Sequence, residues 1–180
     1  MRPVFVAIGL GANLGTPVVA VRRAARELSR WIGKARLSPL YRTSPVGGRP
    51  QPDFVNAVLT GWTRLAPRTL LGRLRNLERA AGRRRGIRDA PRTLDLDLLL
   101  YGDRRHRTKN LELPHPRLAE RVFVLAPLSD LAPRRVVPGV RKTVARLLRE
   151  ARTVSGETVR RLRSSRGASA SRTSAGTPRG

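Results

Sequence analysis

Apolar positions follow two different periods along the first third of the chain. Val4–Ile8 is a continuous apolar run of strand length, and apolar residues then repeat every three to four positions from Val18 to Ile32. Pro17 precedes this repeat and Gly33 follows it, as is common at the start and end of a helix. The pattern predicts a buried strand, then a helix that ends near Gly33.

The next segments continue the alternation of strand and helix patterns, with proline and glycine between them. They are two strand-like runs, Arg36–Thr43 and Phe54–Thr63, a helical repeat, Pro67–Ala81, and a last strand-like run, Thr93–Tyr101. The resulting order βαββαβ is typical of a ferredoxin-like sheet with helices on its faces. We therefore predict an α+β fold, with a further strand or helix between residues 111 and 148 and a C-terminal extension.

The composition of the chain changes near residue 150. Residues 151–180 are rich in Ser, Arg and Gly, and from Ser164 onward no aromatic or large aliphatic side chain is present. Such a segment buries too little apolar surface to offset the entropy of ordering. We expect one folded domain over 1–150 and a basic, largely disordered tail over 151–180.

The formal net charge of +26 is weak evidence for a nucleic-acid partner. Only Lys34, Lys109 and Lys142 are lysines, and the arginines are spread over the whole length rather than clustered. A nucleic-acid partner would favour a clustered patch. We therefore expect a solvated, Arg-rich surface and no specific nucleic-acid partner.

Composition also limits the chemistry and the location of the protein. No run of about 18 apolar residues is present, which excludes a transmembrane helix on length. Cysteine is absent, which excludes disulfides and thiol catalysis and fits a reducing compartment. We expect a cytoplasmic protein without a membrane partner.

The sequence Thr93-Leu-Asp-Leu-Asp97 places two acids on a predicted strand. Side chains alternate between the faces of a strand, so Asp95 and Asp97 share one face and Leu94 and Leu96 lie on the other. Two neighbouring carboxylates are suitable ligands for a hard cation such as Mg²⁺. A solvated strand face would give the same spacing.

Five arginines lie between Arg83 and Arg92, immediately before the two acids. Arginine side chains and carboxylate-bound Mg²⁺ both neutralise a polyphosphate during transfer. The neighbouring glycines Gly82 and Gly86 would allow this segment to close over a substrate. The alternative is an exposed basic loop.

Neither of the two common glycine-rich phosphate loops is present. No G-x-x-x-x-G-K-[ST] occurs, and Gly9–Gly15 lacks the third glycine of the dinucleotide-binding pattern. We interpret Gly9–Gly15 as a turn between strand and helix. Any ATP would then be held by side chains and metal.

Four segments together resemble the 6-hydroxymethyl-7,8-dihydropterin pyrophosphokinase family of folate biosynthesis. They are Ile8–Gly15, SPLYRTSPVGGRPQPDFVNA at 38–57, RRRGIRDAPRTLDLDLLLYG at 83–102 and LELPHPRLAERVFVLAPL at 111–128. The resemblance covers about residues 4–140. It implies transfer of pyrophosphate from ATP to the hydroxymethyl oxygen of the pterin, with AMP as the second product and two Mg²⁺ ions at the site. We expect the protein to be a monomer.

The resemblance also implies roles for individual residues. Asp95 and Asp97 would hold the metal ions, and Arg83 and Arg92 would contact the phosphates during transfer. Further ATP contacts are implied for Arg85, His115 and Arg121. The residues implied for the pterin are Phe54 and Phe123 as stacking partners, Asn56 for its polar edge, and Thr43 and Val46 at the border of the pocket.

Other interpretations of these residues remain open. Phe54 and Phe123 lie in strand-like runs, where aromatic residues are usually part of the core, and His115 between two prolines is compatible with either an exposed or a functional position. Asp89 stands where several members of the family have an aromatic residue, and Arg49 lies in a loop that varies among them. An RNA-binding protein with the same βαββαβ order and an inactive homologue are the alternative functions, although no segment matches the aromatic strand signature of the RNA-binding fold.

Overall fold

The computed structural model describes residues 2–45, 50–83 and 90–163, which form four helices and ten strands. The helices are α1 (Pro17–Leu28), α2 (Pro67–Ala80), α3 (Val122–Leu131) and α4 (Val144–Val154). The strands are β1 (Val4–Ala12), β2 (Gly33–Leu37), β3 (Tyr41–Thr43), β4 (Phe54–Thr63), β5 (Asp95–Tyr101), β6 (His106–Thr108), β7 (Leu111–Leu113), β8 (Val136–Val137), β9 (Lys142–Thr143) and β10 (Val159–Arg161). No helix of this described part is long and apolar enough to cross a membrane.

The main sheet is antiparallel and has the order β10-β3-β4-β1-β5, with β2 also paired to β4. β1 lies between β4 and β5: it pairs with β4 from Val4 opposite Thr63 to Ala12 opposite Val55, and with β5 on its other side. The pairs β6–β7 and β8–β9 form two separate hairpins within the described residues. The α+β, ferredoxin-like arrangement predicted from the sequence is confirmed.

Helices cover both faces of the sheet, and each face has its own apolar core. Side chains of α1 and α2, such as Leu28 and Leu74, pack with Ile8 and Leu98 on one face. On the other face, residues of α3 and α4 such as Leu125 pack with Leu99. The acids of β5 therefore lie on the α3 side, where this second core ends.

The single strand predicted over Arg36–Thr43 is wrong, because it is divided into β2 and β3. Both segments pair with β4, but three residues separate Leu37 from Tyr41 while two separate their partners Leu59 and Asn56. Pro39, which has no amide hydrogen to donate, lies in this irregular segment. The extra residue interrupts the pairing, so that β2 and β3 are two separate strands along β4.

Two predicted element ends also differ from the structure. α1 ends at Leu28 rather than near Gly33, and Gly33 begins β2 instead. Ile32 nevertheless remains buried, because its side chain joins the core of the α1 face. A buried residue just after a helix extends the apolar repeat, so the sequence pattern placed the end too late.

The predicted boundary at residue 150 falls inside α4, which continues to Val154. Beyond it, β10 pairs with β3, with Val159 opposite Thr43 and Arg161 opposite Tyr41. Residues 151–163 are therefore part of the described fold. The disordered tail that we expect from Ser164 onward lies outside the described residues.

Candidate active site

A cavity of about 510 Å³ opens at one end of the sheet, on the face that α3 covers only in part. Its floor consists of same-face residues from three neighbouring strands, β5, β1 and β4. In the sheet register, Asp95 lies opposite Gly11 and Asp97 lies opposite Gly9. The two acids therefore share one strand face, as the sequence predicted, and both line the cavity.

Asp95 is paired with two arginines that reach it from the segments before β5. The Arg83 guanidinium contacts both Asp95 and Glu78, and the Arg92 guanidinium contacts the second carboxylate oxygen of Asp95. Glu78 is almost fully buried and also accepts a hydrogen bond from the amide of Leu96, with an N–O distance of 2.8 Å. Glu78 thus connects the end of α2 to both the arginine and the strand that carries the acids.

Asp97 faces two more cationic or ionisable groups across the cavity. His115 Nε2 and an Arg121 guanidinium nitrogen each lie 3.9 Å from Oδ2 of Asp97. Partial burial, followed by repulsion from Asp95, raises the pKa of Asp97 above its usual range. Burial lowers the pKa of His115, and its Nδ1 accepts the amide hydrogen of Arg117 at 3.2 Å, so a neutral imidazole would direct Nε2–H toward Asp97.

The aromatic and amide residues assigned to the pterin line another part of the same cavity. Phe54 and Asn56 come from β4, Thr43 from β3 and Phe123 from α3. Asn56 Nδ2 donates a 2.8 Å hydrogen bond to Thr43 Oγ1, so the amide carbonyl remains available on the cavity side. Phe123 belongs to a helix, and the strand-like interpretation of its run is wrong because Val, Phe and Leu are tolerated in a buried helix.

The interpretation of Gly9–Gly15 as a turn is wrong for its first half. Gly9 and Gly11 lie within β1 and line the cavity between the acids of β5 and Asn56 of β4. Because they have no side chains, the floor is open there. The sequence contained a signal for this role: two glycines two positions apart in an apolar strand leave one face of that strand without side chains.

Asn13 connects two segments that border the cavity. Its side-chain amide donates to Gln51 Oε1 at 3.0 Å and to the carbonyl of Pro52 at 3.1 Å. Its Oδ1 accepts the amide hydrogen of Arg92 at 2.7 Å. This buried asparagine therefore ties the segment before β4 to the segment before β5, a role that the sequence did not indicate.

Several residues named in the sequence analysis cannot be placed. Val46, assigned to the border of the pterin pocket, and Arg85, assigned to ATP, lie outside the described residues, as do Arg49, Gly86 and Asp89. Most of the segment that we expect to close over the substrate therefore lies outside the described residues. The remaining assigned side chains all line the one cavity. They are Thr43, Phe54, Asn56, Arg83, Arg92, Asp95, Asp97, His115, Arg121 and Phe123.

The cavity residues fit a divalent cation held jointly by protein and substrate. Among residues 2–45, 50–83 and 90–163, no group of three or more His, Cys, Asp or Glu side chains could hold a metal alone. Asp95 and Asp97 supply two carboxylates, and Mg²⁺ at phosphate sites is commonly bound by one or two carboxylates plus phosphate oxygens and water. Burial and, second to it, repulsion from Asp95 raise the pKa of Asp97, and a bound cation would offset both effects.

Comparison with known proteins agrees with this geometry. A sequence model of the family described as 7,8-dihydro-6-hydroxymethylpterin-pyrophosphokinase (HPPK) matches residues 7–133. The 2-amino-4-hydroxy-6-hydroxymethyldihydropteridine pyrophosphokinase of Synechocystis sp. is 41% identical over 145 residues, which are 79% of this chain and 74% of that protein. The enzyme of the same name from Pseudomonas aeruginosa is 44% identical over 131 residues, 71% of this chain and 80% of that protein.

Longer proteins contain a similar region within a larger chain. The mitochondrial folate synthesis bifunctional protein of Arabidopsis thaliana is 49% identical over 127 residues, which are 70% of this chain but 23% of that protein. The crystal structure of wild-type Plasmodium falciparum HPPK-DHPS with pteroate has a TM-score of 0.68 at 15% identity, covering 83% of this chain and 42% of that one. The structural likeness supports the fold, and the matches in sequence show that this chain belongs to the 7,8-dihydro-6-hydroxymethylpterin-pyrophosphokinase family.

Proposed function

We propose that the cavity between β5, β4 and α3 is where this enzyme transfers the pyrophosphoryl group of ATP to 6-hydroxymethyl-7,8-dihydropterin. The products are AMP and the pterin diphosphate, an intermediate of folate biosynthesis. The observation that carries the proposal is the convergence of two aspartates, four arginines and a histidine in one cavity with two phenylalanines and the amide of Asn56. A polyphosphate and a flat heteroaromatic ring require these two kinds of surroundings.

The charged end suits the phosphates of ATP. We propose that Asp95 and Asp97 hold two Mg²⁺ ions, whose charge would neutralise the phosphates and increase the electrophilicity of the β-phosphorus. Arg92 and Arg83 are paired with Asp95, and Arg121 and His115 face Asp97. The three guanidinium groups and the Nε2–H of His115 can orient the phosphates and stabilise negative charge as it shifts toward the leaving group.

The aromatic end suits the pterin. Phe54 and Phe123 offer apolar faces for stacking, and the free carbonyl of Asn56 can accept a hydrogen bond from the amino or ring N–H groups of the pterin edge. Gly9 and Gly11 leave the floor open between the two ends. A pterin bound there can extend its hydroxymethyl group toward the acids of β5.

The transfer itself is a displacement at phosphorus. The hydroxymethyl oxygen attacks the β-phosphorus, an O–P bond forms, and the bond from that phosphorus to the oxygen of the α-phosphate breaks to release AMP. The hydroxyl proton is released to solvent, and we assign no general base among the described residues of the cavity. Orientation of the two substrates and neutralisation of charge then provide the rate enhancement.

We also propose that the protein acts as a cytoplasmic monomer. The residues that the proposed reaction needs are all supplied by one copy of the chain, so a second copy is not required to complete the site. The RNA-binding alternative is disfavoured because such proteins stack bases on an open sheet face, whereas α3 and α4 pack on the face opposite α1 and α2 here. The high positive charge is then a property of the surface rather than of a nucleic-acid site.

A product assay tests the proposed function. The purified protein is incubated with ATP, Mg²⁺ and 6-hydroxymethyl-7,8-dihydropterin, and the nucleotides are separated. We expect AMP and pterin diphosphate in equal amounts, and no AMP when the hydroxymethyl group of the pterin is replaced by methyl. Formation of ADP would show ordinary kinase action, and the absence of any nucleotide product would contradict the proposal.

A further inference from the structure

Glu157 is an acid from the C-terminal segment that reaches the wall of the cavity. It lies between α4 and β10, beyond residues 7–133 that match the family. Its side chain lines the cavity, and its Oε2 accepts the amide hydrogen of Phe123 at 3.3 Å. Burial raises the pKa of Glu157, while the amides of Phe123 and Val122 oppose that effect.

This contact replaces a helix cap that the local sequence lacks. The first amide groups of a helix have no partner within the helix, and a side chain at the N-cap position usually accepts one of them. At α3 that position is Arg121, which makes no such hydrogen bond. The carboxylate of Glu157, distant in sequence, occupies the place of the missing cap.

The position of Glu157 is fixed by strand pairing next to the proposed pterin pocket. Ser155 Oγ accepts the amide hydrogen of Glu157 at 3.0 Å, and the carbonyl of Thr158 accepts that of Ser44 at 3.3 Å. Val159 then lies opposite Thr43 in the sheet. The backbone that carries the Glu157 carboxylate is therefore held beside β3.

The first turn of α3 carries groups for both substrates. The Arg121 guanidinium lies over the Phe123 ring, with its carbon 5.3 Å from the ring centre, and Arg121 also faces Asp97. Loss of the Glu157 contact would displace the Phe123 ring more than the Arg121 side chain, because Glu157 binds the amide of Phe123 itself. Arg121 has a second electrostatic partner in Asp97 that limits its displacement.

We propose that Glu157 is a positioning residue for the pterin: its carboxylate oxygen fixes the first turn of α3 so that Phe123 stays on the cavity wall. The inference rests on the proposed function, in which this pocket binds the pterin. It assigns a role in substrate binding to the segment after α4, outside the part of the chain that matches the family.

Steady-state kinetics of the full chain test the proposal with two variants. In Glu157→Ala, we expect the KM for the pterin to rise about five- to tenfold, the factor that corresponds to the loss of a helix cap, with a smaller change in the KM for ATP. Glu157→Gln keeps an oxygen acceptor, so it should restore most of the pterin KM. The matched control is Glu150→Ala, which removes an exposed acid paired with Lys142 and Arg146 and should leave both KM values unchanged.

Two further readouts separate the possible failures. Thermal unfolding of Glu157→Ala should show a folded protein. An equal loss of kcat/KM for both substrates in this variant would overturn the proposal, because it would indicate a general structural role for Glu157. A Gln variant as impaired as the Ala variant would also overturn it, because the charge rather than the acceptor would then matter. If Phe123→Ala raises the pterin KM while Glu157→Ala does not, the positioning role of Glu157 is wrong and the pterin pocket is supported. If neither variant raises the pterin KM, the assignment of the pocket itself is wrong.

Discussion

A side chain on Gly11 would collide with Asn56 across the β1–β4 pair. A Cβ at position 11 would lie 2.8 Å from Oδ1 of Asn56, closer than side-chain carbons approach other heavy atoms. A displacement of the Asn56 side chain would break the hydrogen bond from its Nδ2 to Thr43 Oγ1. The absence of a side chain at position 11 therefore protects the amide that we assign to the pterin.

The variant Gly11→Ala should consequently impair pterin binding more than folding. We expect the added methyl group to displace the Asn56 amide and to raise the pterin KM about five- to tenfold, the equivalent of one hydrogen bond. Steady-state kinetics with each substrate in turn measure this effect.

Gly72→Ala is the matched control for that substitution. Gly72 lies in α2, and a Cβ there would meet no atom within 4 Å. Alanine at that exposed helical position should leave both KM values unchanged and stabilise the protein by about 0.5–1 kcal/mol. An unchanged pterin KM in Gly11→Ala would show that Asn56 does not contact the pterin.

The sheet could be predicted from the sequence because its strands and its first two helices have strong apolar periods. Phe54–Thr63 matches β4 at both ends, and α2 differs by one residue. Errors occurred where tertiary contacts override the local pattern. Ile32 extends the repeat of α1 although it follows the helix, and Phe123 lies in a helix whose residues are apolar on nearly all sides.

The predicted site residues that the structure describes all line one cavity, because the family motifs identify side chains individually. Their positioning groups were not predicted. Glu78 binds the amide of Leu96, 18 positions away in the sequence, and Glu157 binds the amide of Phe123, 34 positions away. A single sequence contains no signal for such pairs.

Arg92→Ala should slow the transfer step more than it weakens ATP binding. The Arg92 guanidinium is paired with Asp95 in the free protein, so a contact with ATP would replace one ionic partner by another and add little to the binding free energy. The negative charge that develops on the phosphates during transfer would strengthen the contact and lower the barrier. Arg83→Ala should behave alike. We expect single-turnover rates to fall at least about a hundredfold while the Kd for ATP changes a few-fold.

An exposed arginine provides the control for these two variants. Arg79 lies on α2 and its side chain contacts Asn76 at the surface, so Arg79→Ala should leave both quantities unchanged. A large rise in the ATP Kd with an unchanged single-turnover rate in Arg92→Ala would instead identify Arg92 as a group that binds the ground state.

Tyr41 should make the stability of the protein sensitive to alkaline pH. Burial, followed by its 2.7 Å hydrogen bond to Asp130, raises the pKa of Tyr41 from 10.0 to about 12. Because the folded-state value is the higher one, this contribution to stability is complete below pH 10 and is lost as the pH rises through 12. The bond joins β3 to α3, two walls of the cavity.

Denaturant unfolding of the wild type and Tyr41→Phe at two pH values tests this linkage. At about pH 8 the wild type should be more stable by about 1 kcal/mol, the typical contribution of one hydrogen bond. At about pH 11.5 this difference should shrink, because only the tyrosine can ionise. A difference that stays constant over this range would contradict the raised pKa.

Removal of residues 164–180 should leave catalysis intact. The cavity is lined by described residues up to Glu157, and the last paired strand ends at Arg161. We expect kcat and both KM values of a chain that ends at Arg163 to match those of the full chain, with weaker salt-sensitive adhesion to nucleic acid because three arginines are removed. Loss of most activity in a folded, shortened chain would assign part of the site to the tail.

The role of the two acids of β5 is the central claim, and Asp97→Asn tests it most directly. Asparagine keeps the shape of the side chain but removes the charge that we assign to Mg²⁺. Asp103→Asn is the control, since Asp103 is exposed at the surface and pairs with Arg135. The measurement is the single-turnover rate of AMP formation with saturating ATP, Mg²⁺ and 6-hydroxymethyl-7,8-dihydropterin. The account predicts a fall of about a thousandfold or more in Asp97→Asn, with unchanged folding and a normal rate in Asp103→Asn. A near-normal rate and an unchanged Mg²⁺ dependence in Asp97→Asn would contradict it.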